Sequence, residues 1–147
     1  MTVLIFSGIL LLHSCAPEAC FEETNAFLKA SLYDNETKKV RVPDSLTLYG
    51  LEADTNIIYN KARGIQPALF PLNPANDNCT FVIRINGITD TLIFRYSSYP
   101  HLLSKECGYT FYHTLDTFFH TRNVIDYIFT NRRTITTLNE ENIRIYY

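Results

Sequence analysis

One dipeptide, Asn86-Gly87, constrains the fold more than any other feature of the sequence. Asn-Gly is the preferred pair for a two-residue type I′ turn between antiparallel strands. Runs in which apolar and polar residues alternate flank it, over residues 79–85 and 88–96. The register that such a turn fixes places Asp90 opposite Ile83 on the apolar face. We therefore expect a β-hairpin in which either Asp90 lies near an open end or a bulge shifts the pairing.

Strand-like patterns recur along the rest of the chain. They cover residues 25–33, 45–51, 56–62, 108–115, 124–130 and 143–147. Pro67, Pro71 and Pro74 exclude a central strand between them, because proline cannot donate to a ladder. Residues 101–106 are expected to form a loop or a short helix. Ten Tyr and ten Phe favour a β-rich core. Seven to eight short antiparallel strands predict an all-β fold, an immunoglobulin-like or related two-sheet β-sandwich.

The N-terminal segment predicts an exported, lipid-anchored protein. Its apolar run, residues 3–12, is shorter than the roughly 20 residues that cross a bilayer, and suits a signal peptide. The order Leu12-His13-Ser14-Cys15 resembles the lipobox of bacterial prolipoproteins, whose cysteine receives a diacylglycerol and becomes the mature N-terminus. His13 is bulkier than that pattern favours, and Met1-Thr2 supplies no basic residue, so the true start codon could lie upstream. A buried segment with a chance cysteine is the alternative.

These features divide the chain into three parts. Residues 1–14 are the expected signal peptide, residues 15–23 a lipidated tether, and residues 24–147 a single β-sandwich domain. Net charge is −2 and no basic stripe occurs, which argues against nucleic acid as a partner. The expected partners are a membrane, through palmitate-type acyl chains on Cys15, and an envelope protein or glycan. The expected location is the cell envelope, at the outer membrane, with the face left open.

Three cysteines follow the proposed attachment site. An oxidising envelope would let Cys20, Cys79 and Cys107 form one bridge and leave one thiol. Loop closure contributes about 4.6 kcal/mol for Cys20 with Cys107 and about 3.6 kcal/mol for Cys79 with Cys107, too close to decide. Position favours Cys20 with Cys107, because a tie there would fix the N-terminal arm and Cys107 precedes an apparent strand start. Three free thiols are the alternative.

A metal site is not expected. His113, Asp116 and His120 would share one face of a helix and could hold a metal ion there. The segment is rich in Phe, Tyr and Thr, which favours a strand. On a strand His113 points away from Asp116, and Asp116 and His120 stand about 13 Å apart.

Catalytic signals are weak. Ser104 and Cys107 lie near His101, Glu106 and His113 in the sequence, and a nucleophile with a histidine and an acid is the pattern of a hydrolase. No glycine-flanked elbow surrounds either nucleophile. The five glycines are dispersed, so no phosphate-binding loop or cofactor is predicted. A small envelope hydrolase that uses the Cys107, His113 and His120 region is the alternative to a non-catalytic role.

Two short motifs suggest O-glycosylation. Asp44-Ser45-Leu46 and Asp90-Thr91-Leu92 look like the Asp-Ser/Thr-aliphatic sites that Bacteroides-type bacteria O-glycosylate outside the cytoplasm. Ordinary strand composition explains the same residues. Modification at Ser45 and Thr91 is therefore a hypothesis.

Four blocks support a family resemblance. Phe21-Glu22-Glu23 and residues 44–50, 104–108 and 142–146 resemble the conserved blocks of an uncharacterised family of Bacteroides-type envelope lipoproteins, a domain of unknown function. The resemblance implies a lipid-anchored, mainly β domain in which Cys20 and Cys107 are the shared cysteines and Cys79 is extra. It brings no activity. We therefore expect a lipoprotein that acts as a non-catalytic binding or structural module.

Overall fold

The strands follow the alternation of apolar and polar residues. The structure, a computed structural model, describes residues 19–52 and 57–147. Those residues form ten strands: β1 (Phe27–Tyr33), β2 (Leu46–Gly50), β3 (Ile57–Ala62), β4 (Ala68–Pro71), β5 (Asn78–Ile85), β6 (Ile88–Ser104), β7 (Gly108–His120), β8 (Tyr127–Thr130), β9 (Thr134–Ile135) and β10 (Ile143–Tyr146). Within the same residues no helix is long and apolar enough to cross a membrane.

The strands form two sheets that pack face to face. One has the order β4-β1-β10-β8 and the other the order β3-β2-β5-β6-β7-β9. Phe70 of the smaller sheet lies edge-on to Phe81 and Phe94 of the larger one, with ring centroids 5.1 and 5.4 Å away. These rings sit in one continuous apolar core. The all-β, two-sheet class predicted from the sequence is confirmed.

The strand count and one strand direction differ from the prediction. The described residues hold ten strands rather than seven or eight, and β1 runs parallel to β10. The two-residue strand β9 is too short to produce an alternating pattern, so it could not be predicted from the sequence. The segment around Pro67 and Pro71 forms β4 at the edge of its sheet, where a missing N–H is tolerated.

The Asn86-Gly87 hairpin forms as predicted. Both residues have positive φ, 49° and 91°, as a type I′ turn requires. The β5–β6 register runs without a shift from Asn78↔Arg95 to Ile85↔Ile88, so the bulge considered as one alternative is absent from this pair. Asp90 faces Ile83 as the turn dictates, but it is buried rather than open.

The hairpin of β6 and β7 extends far beyond the sandwich. β5 leaves β6 after Arg95, whereas β6 and β7 stay paired to Ser104↔Gly108. The expected loop or helix over residues 101–106 is therefore wrong, since β6 runs to Ser104. Pro100 is accommodated because only β7 adjoins β6 there. We call residues 88–96 with 113–120 the core half, and residues 97–112 the ribbon.

Candidate functional site at the tip of the long hairpin

A disulfide ties the tip of the ribbon to the N-terminal arm. Cys20 and Cys107 are bonded, with their Cα atoms 4.8 Å apart, and Cys79 is a buried free thiol. This is the pairing that position favoured in the sequence. Cys107 lies in the turn between β6 and β7, where its backbone N–H donates to Ser104 Oγ at 3.0 Å. The hydrolase hypothesis needs Cys107 as a free thiol, but its sulfur is bonded to Cys20.

A hydrogen bond provides a second tie between the arm and the ribbon. The hydroxyl of Thr110 donates to the carbonyl oxygen of Thr24 at 2.6 Å. Beside this contact lies a shallow cleft whose apolar wall includes Phe27, Pro71 and Phe111. The arm therefore follows the ribbon from its tip back to the start of β1.

The ribbon presents exposed apolar side chains. The register pairs Pro100 with Phe111 and Leu102 with Tyr109, so these four side chains share one face. Leu102 is 51% exposed, Tyr109 74% and Phe111 45%, and Phe21 on the arm is 92% exposed. The disulfide brings the arm and this face to the same end of the molecule.

The opposite face of the ribbon is covered by its own aromatic rings. His101 stacks on Tyr112 with ring centroids 4.1 Å apart, and Tyr99 lies edge-on to the same ring at 6.2 Å. The Tyr112 hydroxyl is 3.3 Å from Thr137 Oγ1. These rings pack on one another, with Tyr99 still 40% exposed, and Leu102 and Tyr109 on the other face are more exposed.

The buried histidine, His113, is paired with a serine across the strands. Ser98 Oγ lies 2.7 Å from His113 Nδ1, and the Tyr96 ring packs edge-on at 5.5 Å. Burial lowers the pKa of His113, so the ring is neutral at pH 7. Within the described chain no carboxylate hydrogen-bonds to this histidine. The pair therefore lacks the orienting acid of a catalytic triad.

The other candidate ligands are not brought together. His113, Asp116 and His120 all lie on β7, and His120 Nδ1 is 2.7 Å from the carbonyl oxygen of Thr121. Asp116 lies at a register shift where β7 passes Arg95 and Tyr96. The described residues contain no group of three His, Cys, Asp or Glu side chains that could hold a metal ion.

Asp90 is a structural residue whose role the sequence did not reveal. Its carboxylate is 1% exposed and accepts hydrogen bonds from one hydroxyl and three backbone N–H groups, those of Thr121, Asn123, Val124 and Ile125. Burial alone would raise the pKa of Asp90, but these donors outweigh burial, and the pKa lies below the usual value. The sequence did contain one indication of an unusual role: the Asn86-Gly87 turn places Asp90, an acid, opposite Ile83 on the apolar face of the hairpin.

Cys79 lies deep in the larger sheet. It is 6% exposed, and burial raises the pKa of its thiol to about 12. The thiol is therefore protonated and unreactive at neutral pH, because only the thiolate is nucleophilic. Cys79 has the character of a core side chain.

The two glycosylation candidates lie on different parts of the larger sheet. Ser45 precedes β2, and its backbone N–H donates to Asn86 Oδ1 at 3.2 Å. Thr91 lies on β6, and its backbone N–H donates to Thr121 Oγ1 at 2.8 Å. Both residues are half-buried. Cys15, the lipid-attachment candidate, and the predicted signal peptide lie outside the described residues.

A second aromatic surface covers the outer face of the smaller sheet. Tyr127 stacks on Tyr146 with centroids 4.3 Å apart, and Tyr33 lies 5.3 Å from Tyr146. Lys38 Nζ sits 4.9 Å from the Tyr127 ring, and the Arg144 guanidinium 5.1 Å from the Tyr33 ring. Because the rings already contact each other and two cations, this surface has the character of a packed cross-strand cluster over β1, β10 and β8.

Together these features define a class, a two-sheet β-sandwich whose long hairpin is tied by a disulfide to its N-terminal arm. Residues 45–147 match DUF6452, a family of unknown function, and the chain belongs to that family. The matched region includes Cys107 and omits Cys20. No curated protein matches the sequence, and no solved structure does.

Proposed function

We propose that this protein is a lipid-anchored lipoprotein of a Bacteroides-type cell envelope, with a non-catalytic binding or structural role. The observation that carries the proposal is the disulfide between Cys20 and Cys107. Disulfides persist in oxidising compartments and are rare in the cytosol. The bond therefore supports export, which the apolar run and the lipobox-like residues before it independently predict.

The anchor would act through Cys15. Acyl chains there contribute about 0.8 kcal/mol for each buried methylene, so several chains on one residue hold a protein firmly. Residues 1–14 are then the signal peptide, and the outer membrane is the proposed location. Anchoring raises the effective concentration of the domain for an envelope protein or glycan on the same surface.

The side-chain chemistry supports a non-catalytic role. The Cys107 sulfur is bonded to Cys20, and His113 contacts a cross-strand hydroxyl rather than an acid. The hydrolase alternative would need the Cys20–Cys107 disulfide to be reduced. It would also need His113 to give up its hydrogen bond with Ser98 and to pair with the nucleophile and an acid. It remains the second candidate, with less support than the binding role.

Mass analysis of the full chain expressed in a bacterium that processes lipoproteins tests the proposal. We expect a mature product that begins at Cys15 and carries diacylglycerol and an amide-linked acyl chain. Cys15→Ala should remain unacylated. Cys79→Ala is the matched control, because it removes a cysteine that the proposal leaves free and should be acylated normally.

An unmodified Cys15, or an intact Met1 on the accumulated protein, would refute the anchor. The same spectra test glycosylation, because Ser45→Ala and Thr91→Ala should each remove any hexose-sized mass additions from their peptides. If the peptides that contain Ser45 and Thr91 carry no such additions, the hypothesis that these residues are glycosylated is wrong.

A further inference from the structure

The ribbon is a poorly covered part of the described chain. Beyond Arg95, β6 has only β7 as a neighbour, and β7 gains only the short β9 at His113 and Thr114. An isolated two-stranded hairpin is marginally stable in water. The ribbon also exposes Leu102, Tyr109 and Phe111, and an exposed apolar face of this kind indicates a site of contact with a protein or a membrane.

We propose that the exposed apolar side chains at the tip of the ribbon, with Phe21, insert into the lipid surface that holds the anchor; the inference builds on the proposed function above. The contact consists of Leu102, Tyr109 and Phe111 on one side of the hairpin and Phe21 on the arm beside the disulfide. Tyrosine is among the residues enriched where a membrane meets water, with its ring in the apolar layer and its hydroxyl in the polar one.

The distance to the anchor determines which partner can reach the ribbon. Cys20 follows Cys15 by five residues, and a chain spans at most about 3.5 Å per residue. The Cα atom of the acylated residue therefore lies within about 18 Å of Cys20. Because the disulfide places the ribbon tip against Cys20, a bilayer that holds the acyl chains is within reach of the tip.

The charges near the tip argue against electrostatic attraction to the membrane and leave the apolar side chains as the basis of the contact. Glu22, Glu23 and Glu106 carry negative charge there, and Lys105 is the positive side chain beside them. Acidic excess gives no attraction to anionic headgroups, which recruit clusters of Lys and Arg. Anionic headgroups repel this acidic excess, so membrane contact of the ribbon should weaken as the anionic lipid content rises, and added salt should relieve that loss.

The geometry also fixes an orientation. β6 has 17 residues, about 55 Å of strand when straight. With its Ser104 end at the membrane, its Ile88 end and the Asn86-Gly87 turn point away from it. The disulfide then works as a brace that keeps the sandwich upright on its anchor.

Depth-dependent quenching of single tryptophans tests the inference. The chain contains no Trp, so Tyr109→Trp and Phe119→Trp each introduce one probe. Position 119 is the matched control, because Phe119 is an exposed aromatic on the same strand, roughly 30 Å further along. The acylated full-length variants are reconstituted in phosphatidylethanolamine and phosphatidylglycerol vesicles with bromine atoms on the acyl chains.

We expect the tryptophan at position 109 to be quenched several-fold more than the one at position 119. Equal, weak quenching at both positions on vesicle-bound protein would overturn the ribbon contact and leave the anchor intact. Failure of the full chain to be acylated and to bind vesicles would instead refute the anchor on which the inference rests. Strong quenching at both positions would contradict the upright orientation and overturn the inference as well.

Discussion

The two halves of the β6–β7 hairpin both carry apolar side chains on one face but lie in opposite environments. In the core half, Leu92 and Phe94 are fully buried under the smaller sheet. In the ribbon, Leu102 and Tyr109 share a face in the same way but are mostly exposed. Alternation thus determines which side chains share a face. Whether that face is covered depends on which other elements reach it.

The halves also differ in what stabilises them. The core half gains from apolar burial, at about 25 cal/mol for each Å², and from pairing on both sides. The ribbon has its cross-strand contacts, the Thr110 hydrogen bond and the Cys20–Cys107 bond. The following predictions test this difference, from the largest effect to the smallest.

Truncating one aromatic ring in each half should give very different losses of stability. Phe94→Ala should lower the free energy of unfolding by about 3 to 5 kcal/mol, because it opens a cavity against Phe70 and Phe81. Tyr109→Ala should change it by less than about 0.5 kcal/mol, since the ring is exposed. Urea denaturation of both variants in detergent-free buffer measures the difference. Equal losses would mean that the ribbon is packed in solution.

Removing the Asp90 carboxylate should be comparably damaging within the core half. Asp90→Ala leaves three backbone N–H groups of the 121–125 loop without their acceptor, at a cost of about 3 to 5 kcal/mol. Asp116→Ala is the matched control, since that side chain is exposed on the neighbouring strand.

Asp90 also predicts an acid dependence of stability. Its folded pKa is lowered, so its contribution is present above the unfolded pKa of about 3.9 and is lost as pH falls through the folded value. Unfolding midpoints from pH 7 down to pH 2 should show a steeper acid loss for the natural chain than for Asp90→Ala. Parallel curves would contradict this account.

Breaking the disulfide should affect the ribbon first. Cys107→Ser opens a link between residues 87 apart and should cost about 2 to 5 kcal/mol of global stability. Amides of residues 97–112 should exchange with solvent much faster than in the natural chain. Amides of residues 88–96 should still exchange only through global unfolding, so their exchange rates should rise only as much as the loss of global stability requires.

Cys79→Ala provides the control for that experiment. It removes a buried sulfur from β5, opposite Phe94 of the core half, and leaves the disulfide in place, so its effect should appear as a uniform loss of protection. If Cys107→Ser gave the same uniform pattern, the ribbon would belong to the core unfolding unit and the contrast between the halves would fail.

Much of the fold could be predicted from local pattern. The Asn86-Gly87 turn fixed the β5–β6 register through all eight pairs, because a two-residue turn leaves no freedom in strand pairing. The position of β2 was predicted from alternation, and those of β1 and β3 from less regular runs of apolar residues. The extension of β6 past Pro100 was missed, because the proline and its polar neighbours resemble a loop when their edge position is unknown.

The candidate site was predictable in part. The Cys20–Cys107 pair was favoured by position, although loop entropy could not choose it. The apolar face of the ribbon could not be foreseen, because it exists only if residues 101–106 continue the strand. An acid on the apolar face of the hairpin marked Asp90 as unusual, but its partners lie in a loop that begins 31 residues later, and no local pattern identifies them.

By itself the sequence determined the β class and the central hairpin with its register, because each depends on residues adjacent in the chain. The tertiary structure alone decided which apolar face is buried and which is exposed. It also decided the parallel pairing of β1 with β10 and the meeting of the N-terminal arm with a hairpin tip 87 residues away. Such contacts join segments distant in sequence, and their free energy depends on the packing of the whole chain.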